Sequence, residues 1–470
     1  MVLAVGALTL SRARLSTQTV STFTFLFYLY FIVDYFLRFP ARIPGYSSLR
    51  PTLIGILILS TLLFVQREKF KGRFDDPVFR GFFLLVGYII LTLPLVEWPG
   101  SVIRGNWETF LKAVVFLFFT ALTIDTEKRL KWFVAVFVFC QIFRVLEPLY
   151  LNITQGYWGS ATHLQGAEFA NRLSGAPADV INPNELGFVI ATVIPFLHYL
   201  LWPKGWLSKG IYLVLIPLLL YALILTMSRG GFIALLVVAF FVFKESRRKS
   251  GLIALGVIIV VGAFSVMTPI QKDRYLSLVD RDTAGGASAE GRFRGMVNEF
   301  KVGLSRPIVG HGLGTTPEAK THKLGSRQAS HNLYAEVLIE LGVIGFIIFM
   351  MFLVKIAKKL RLVREKMTNI VSDSGNYFLR LNKVLLCVFW MYVVYSINYW
   401  GLSQYYWYLF AGLVIAFGRL IPSPDEVERS EDPNGEDAVN HRYRLASSLK
   451  NRHPRETRAW KPLNENQERC

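Results

Sequence analysis

GIYLVLIPLLLYALILTMSRGGFIALLVVAFFVF, residues Gly210 to Phe243, contains one charge, Arg229, set in a Met-Ser-Arg-Gly-Gly turn. On either side lies an unbroken apolar run. A helix rises 1.5 Å per residue, so about 20 such residues cross a hydrocarbon layer about 30 Å thick. No water reaches that layer, and each backbone amide must find its partner within its own segment, which makes the runs helices. The stretch therefore predicts a helical hairpin through a membrane, with an arginine at its bend.

Outward from this hairpin the same pattern recurs. The apolar segments are Thr19–Phe39, Thr52–Gln66, Val78–Trp98, Trp107–Ile124, Leu130–Tyr150 and Glu185–Trp202. Gly210–Met227, Gly230–Phe243, Leu252–Thr268, Asn332–Val354, Leu381–Tyr399 and Leu402–Ile421 complete the set. Composition agrees: 53% of the 470 residues are hydrophobic and only 18% charged, far from a soluble domain. The fold class is thus an all-α polytopic membrane protein of about 12 transmembrane helices, with a large outer loop between helices 9 and 10. Residues 1–18 form an N-terminal segment, 19–421 the membrane domain, and 422–470 a charged tail with too few apolar residues to build a core. The first apolar run has no small-residue cleavage site and is expected to stay as an anchor. Three cysteines in no metal-binding or CxxC spacing exclude a disulfide framework.

The net charge of +19 would suggest nucleic acid in a soluble chain; here it is sorted by membrane side. Arg67 to Arg73, Lys128 to Lys131, Lys204 and Lys209, Lys244 to Lys249, and Lys355 to Arg380 fall in five connections expected on the cytoplasmic face. The opposite short connections hold Arg42, Arg50 and Arg104. Both termini are accordingly expected in the cytoplasm, with no nucleic-acid partner. Two outer segments, 151–184 and 269–331, exceed what a connector needs, and long loops on a rigid scaffold are where chemistry concentrates.

Several outer residues could carry that chemistry. Arg229 is costly between two apolar helices unless it reaches headgroups or an anion. Glu290 to Leu304 reads as an amphipathic helix, with Phe293, Val297, Phe300 and Leu304 spaced for one face and Arg292 and Arg294 in its first turn. Such a helix suits a membrane surface. Gly310, Gly312 and Gly314 permit a close backbone approach to a ligand, but no strand pattern precedes them, so a dinucleotide fold is rejected. His331 stands where the long loop enters the tenth span, and imidazole titrates near neutrality, as a general base should. Glu340 lies about 180° around the helix from His331, which argues against a His–Glu dyad. Gly342 and Gly345 suit close helix contact. Asn182-Pro183-Asn184-Glu185 is a complete helix-start pattern, and capping explains it. Asp280 and Asp282 resemble a metal-binding pair but lack a supporting His or Glu, so no metal or other cofactor is expected.

The Ser228-Arg229-Gly230 turn, Gly291-Arg292, the Gly-His-Gly-Leu-Gly segment and the His331-Asn332…Glu340-x-Gly342-x-x-Gly345 run, in that order, resemble the bacterial O-antigen ligase / O-antigen polymerase superfamily. The resemblance covers about 182–345 by motif and nearly the whole chain by topology. It implies a metal-independent glycosyltransferase of the bacterial inner membrane that works at the periplasmic face. The implied donor is a glycan on undecaprenyl diphosphate, and the acceptor hydroxyl belongs to lipid A core, a growing glycan or a protein. It also implies His331 as base, with Arg229 and Arg292 holding the diphosphate. Arg294 joins them by position alone, since it matches no family position. The His-Asn…Glu-x-Gly run inclines the reading toward a ligase rather than a polymerase. A 12-helix solute transporter is the reading from another class. It would require ionisable residues at span centres, where Asp34 and Arg144 are the clearest, and matched broken helices, of which the sequence shows none.

Overall fold

The computed structural model describes residues 19–163, 169–277, 286–325, 327–370, 377–399 and 401–421. The N-terminal segment 1–18, the tail 422–470 and the Asp280/Asp282 pair lie outside the described residues.

A helix occupies each of the twelve predicted segments. In chain order they begin with α1 (Thr22–Leu37), α2 (Pro51–Val65), α3 (Pro77–Thr92), α4 (Trp107–Thr123), α5 (Glu127–Gln155) and α6 (Pro183–Phe196). α7 (Trp206–Thr226), α8 (Arg229–Glu245) and α9 (Lys249–Val266) follow. The loop between the ninth and tenth segments holds α10 (Pro269–Leu276), α11 (Gly286–Leu304) and α12 (Thr316–Leu324). α13 (Leu333–Ile370), α14 (Tyr377–Tyr395) and α15 (Tyr405–Arg419) close the bundle. Among the described residues, eight helices are long and apolar enough to cross a membrane. α9 buries none of its residues, as expected of a helix whose solvent is lipid.

One feature departs from the all-helical expectation. Within the outer segment 151–184, β1 (Gly159–His163) pairs antiparallel with β2 (Phe169–Leu173). This stretch is polar, and outside hydrocarbon a chain is under no obligation to close its hydrogen bonds as a helix.

The bundle has two chemically distinct ends. At one, Arg419 donates to the carbonyls of Ala121 (2.9 Å) and Ile124 (2.8 Å), Arg73 to Leu122 (3.1 Å), and Lys359 pairs with Asp76. Lys383 meets Glu245 there at 3.0 Å. At the other end the long loops dock. Arg42 pairs with Glu147 at 2.5 Å, and Asn106 donates to the Leu313 carbonyl at 3.0 Å. Arg144, one of the two span-centre ionisable residues, donates to Asp179 of the 151–184 loop at 2.6 and 3.2 Å. Both partners are buried, so Arg144 serves as a clasp holding that loop.

α13 is broken. Gly342 has φ 68° and ψ −172°, outside the helical region, and divides a short helix ending at Leu341 from the long one that follows. The carbonyls this frees find donors in the 310–314 loop and in α3. His311 N–H reaches the Ile339 oxygen (2.8 Å), Gly312 N–H the Glu340 oxygen (2.9 Å), and the Tyr88 hydroxyl the Leu341 oxygen (2.8 Å). On the far side, Val343 N–H donates to the Pro307 carbonyl at 2.6 Å. Gly342 was expected to serve close helix contact; it serves the break instead. Gly345 does meet a neighbour, since a Cβ there would stand 2.8 Å from the Tyr88 ring.

Candidate active site at the loop end

The Thr226–Arg229 turn between α7 and α8 is the centre of a cationic cluster. Met227 takes a left-handed conformation (φ 50°), and Ser228 caps α8 by accepting the Gly231 N–H at 3.1 Å. Arg229, at the first position of α8, is buried and donates to the Ser277 hydroxyl at 3.1 Å. It therefore does not reach outward to headgroups. Nor is it alone. Arg172 on β2 donates to the Thr226 carbonyl (2.8 Å) and to the Asn184 side chain (3.0 Å), and Arg274 on α10 donates to the Met227 carbonyl (2.9 Å). All three guanidiniums are buried. Tyr275 senses two of them: burial pushes its hydroxyl well above the usual phenol range, and Arg172 and Arg274 pull it back.

Sequence reasoning missed Arg172 and Arg274. Arg172 lies in a polar loop with no motif around it, and only the hairpin's fold carries it to the turn. Arg274 follows a helix start at Thr268-Pro269, fixed by a capping box with Gln271, and only the fold carries it to the turn. The Asn182 pattern is a capping box as expected: Asn182 accepts from Asn184 N–H (2.9 Å) and Glu185 N–H (3.0 Å). Capping is not its whole role. The Asn184 side chain also accepts from Ser228 (3.3 Å), and Glu185 accepts from the Tyr399 hydroxyl (2.6 Å).

His331 is exposed at the start of α13, between neighbours held firmly. Asn332 caps the helix, accepting from Tyr334 N–H (2.9 Å) and Ala335 N–H (3.0 Å). On the other side, the Ser330 hydroxyl lies 2.7 Å from Glu299 Oε2, and Glu299 Oε1 accepts from Lys320 Nζ at 2.7 Å. Glu299 and Lys320 are a buried ion pair joining α11 to α12 beneath His331. Lys320 also reaches the Ala329 carbonyl at 3.3 Å.

The end of α14 relates the two groups. Leu333 N–H donates to the Ser396 carbonyl (2.9 Å), and the Tyr334 hydroxyl to the Val393 carbonyl (2.8 Å), so the first turn of α13 rests on residues 393–396. A Cβ at Gly230, beside Arg229, would meet the Tyr395 ring at 3.3 Å. Tyr395 in turn donates to the Asn184 carbonyl at 2.7 Å. Thus the arginine turn and the histidine segment flank one helix end. Arg292 and Arg294 lie on α11, seven and five residues before Glu299. Arg294 is exposed, and the Arg292 side chain lies outside the described residues.

The remaining motif residues are structural. Glu340 accepts from Gly314 N–H (2.7 Å) and the Thr316 hydroxyl (2.8 Å), whereas Glu336 accepts from Gly401 N–H (2.7 Å) and Leu402 N–H (3.1 Å). The two carboxylates serve different loops. The close approach permitted by Gly310 is to the broken helix and not to a ligand: a Cβ there would stand 2.5 Å from the Glu340 carbonyl. His311 is buried against Glu97 and stacked on Trp98, ring centroids 5.4 Å apart.

Residues 211–350 match the family model described as O-antigen ligase. This stretch belongs to the O-antigen ligase family. The resemblance drawn from the motifs is borne out, over a span that begins later than Asn182 and includes Arg229, Arg274, Arg292, Arg294 and His331. Arg172 reaches the O-antigen ligase domain from outside it. No curated protein matches the chain. The match and the apolar helices together support an O-antigen ligase/polymerase-type membrane enzyme.

Proposed function

We propose that this O-antigen ligase-family protein transfers a glycan from undecaprenyl diphosphate to an acceptor hydroxyl at the periplasmic face, without a metal ion. The observation that supports the reading is the shared seat of the Arg229 turn and the His331 segment against residues 393–396. Guanidiniums bind phosphate oxygens through forked, charge-assisted hydrogen bonds. Arg229 and Arg292 hold the donor diphosphate, with Arg294 at the approach and Arg172 and Arg274 fixing the turn that presents Arg229. His331 takes the proton of the acceptor hydroxyl as its oxygen attacks the anomeric carbon. The bond from that carbon to the diphosphate oxygen breaks, the configuration inverts, and undecaprenyl diphosphate leaves with its added charge met by the arginines. The acceptor is a lipid A core, placing the protein among the ligases. A growing glycan chain as acceptor would make it a polymerase of the same superfamily, with the same donor chemistry.

The test is glycan transfer by the purified protein in vesicles containing the lipid-linked donor and EDTA. The native protein is expected to remain active under chelation. His331→Ala is expected to lower transfer by about 10²–10⁴-fold while melting at the native temperature. Full activity of the alanine variant would remove the base. Activity lost in EDTA and restored by a divalent metal would return attention to Asp280 and Asp282.

A further inference from the structure

A groove of about 900 Å³ runs along the outside of the bundle between α8 and α14, away from the loop-end site. Leu236, Phe240 and Phe241 line it on one face of α8, while Leu386, Trp390 and Val394 line it at successive turns of α14. Leu236 is 52% exposed and Phe240 59%, so these side chains stand open to the surroundings. Ile233, one turn from Arg229, marks the end nearer the arginine turn. The other end is charged. Lys244 on α8 and Arg361 and Arg364 on α13 line it, together with Glu365, for a net charge of +2. Among the described residues none of the three cations has a hydrogen bond or ion pair, and the nearby Glu245 is taken by Lys383. Lys244 follows Arg229 by 15 residues along α8, so this end lies about 22 Å from Arg229, most of the depth of a hydrocarbon layer.

An apolar trough on membrane-spanning helices, closed at one end by unpaired cations at interfacial depth, complements an amphiphile with a negative headgroup. We propose that the groove binds one anionic phospholipid from the leaflet opposite the arginine turn, its acyl chain along α8 and α14 and its phosphate on Lys244, Arg361 and Arg364. A soluble anion would not use the apolar length. An isoprenoid tail hung from the arginine turn would bring an uncharged end to these cations and leave them unpaired. The phospholipid alone accounts for both features.

The experiment uses the full chain in a mild detergent, supplied with dioleoyl-phosphatidylglycerol or dioleoyl-phosphatidylcholine. Thermal unfolding and lipid retention by native mass spectrometry are read together. The expected result is one retained phosphatidylglycerol and a higher melting temperature with that lipid than with phosphatidylcholine. Lys244→Gln/Arg361→Gln/Arg364→Gln should cut phosphatidylglycerol retention by about tenfold or more, since each basic residue at a membrane surface strengthens anionic-lipid attraction. Arg247→Gln/Arg248→Gln/Lys249→Gln removes the same charge off the groove and should retain the lipid as the native chain does. Leu236→Trp, which fills the trough and keeps every cation, should also lower retention. Equal retention of the two lipids overturns the proposal, as does equal loss in the two triple variants. Retention of an isoprenyl phosphate in preference to phosphatidylglycerol, unaffected by the first triple variant, overturns it in favour of the donor tail.

Discussion

At the scale of single residues, the arginines at the loop end differ in what surrounds them. Arg229 is buried and directional, donating to Ser277, whereas Arg294 lies on an open helix. A lysine replaces five planar donors by a rotating point charge and cannot reproduce a fork. Arg229→Lys is therefore expected to lower transfer by about 10–100-fold, the worth of one charge-assisted hydrogen bond, with a smaller loss in Arg294→Lys. Equal effects, measured as kcat/KM for the lipid-linked donor, would remove Arg229 from the diphosphate site. The Glu299–Lys320 pair makes a different prediction. Removing one member of a buried ion pair strands the other charge, at about 3–5 kcal/mol. Glu299→Gln should therefore lower the melting temperature strongly, and Glu299→Gln/Lys320→Met should recover most of it. Neither residue carries a sequence motif. Their pairing depends on two loop helices meeting, which no local pattern records, whereas Arg229 was legible because it interrupts an apolar run and His331 because it stands at the entry to one.

At the scale of elements, helices were the easiest part to read, because a hydrocarbon solvent leaves the backbone one way to satisfy itself. The break in α13 was not. Its sequence, Glu340-Leu-Gly-Val-Ile-Gly345, reads as helix by periodicity, and only the tertiary partners at Pro307, His311, Gly312 and Tyr88 make an interruption tolerable. Because those partners are the chain's own backbone and a tyrosine, the break is filled by protein. A transporter's broken helices instead line an ion or substrate site, in matched pairs. The φ of 68° at Gly342 suits glycine, and a Cβ there would lie 2.6 Å from the Ile308 carbonyl. Gly342→Ala should accordingly destabilise the protein by about 2–5 kcal/mol, combining a strained dihedral with overpacking. A melting temperature unchanged from the native protein would show that the 307–314 loop does not need to seat so closely.

At the scale of the whole molecule, the sequence separates basic connections from long polar loops, and the fold gathers each kind at its own end. The proposed chemistry requires a definite orientation for this arrangement: the loop end must face the compartment where the donor's glycan is presented. The positive-inside rule predicts that the basic end, where lysines and arginines such as Lys204, Arg248 and Lys358 lie exposed, faces the cytoplasm. Lys323 on α12 is exposed at the loop end. Cys140 and Cys387 are buried, so replacing Cys470 with serine leaves a background of low reactivity toward bulky reagents. On that background, Lys323→Cys in right-side-out vesicles should react with a membrane-impermeant maleimide, and Arg248→Cys should react only after the membrane is opened. The reverse pattern would put the arginine turn and His331 on the cytoplasmic side. A donor glycan presented outside could not reach them there, and transfer at the periplasmic face would be ruled out whatever the single-residue variants do.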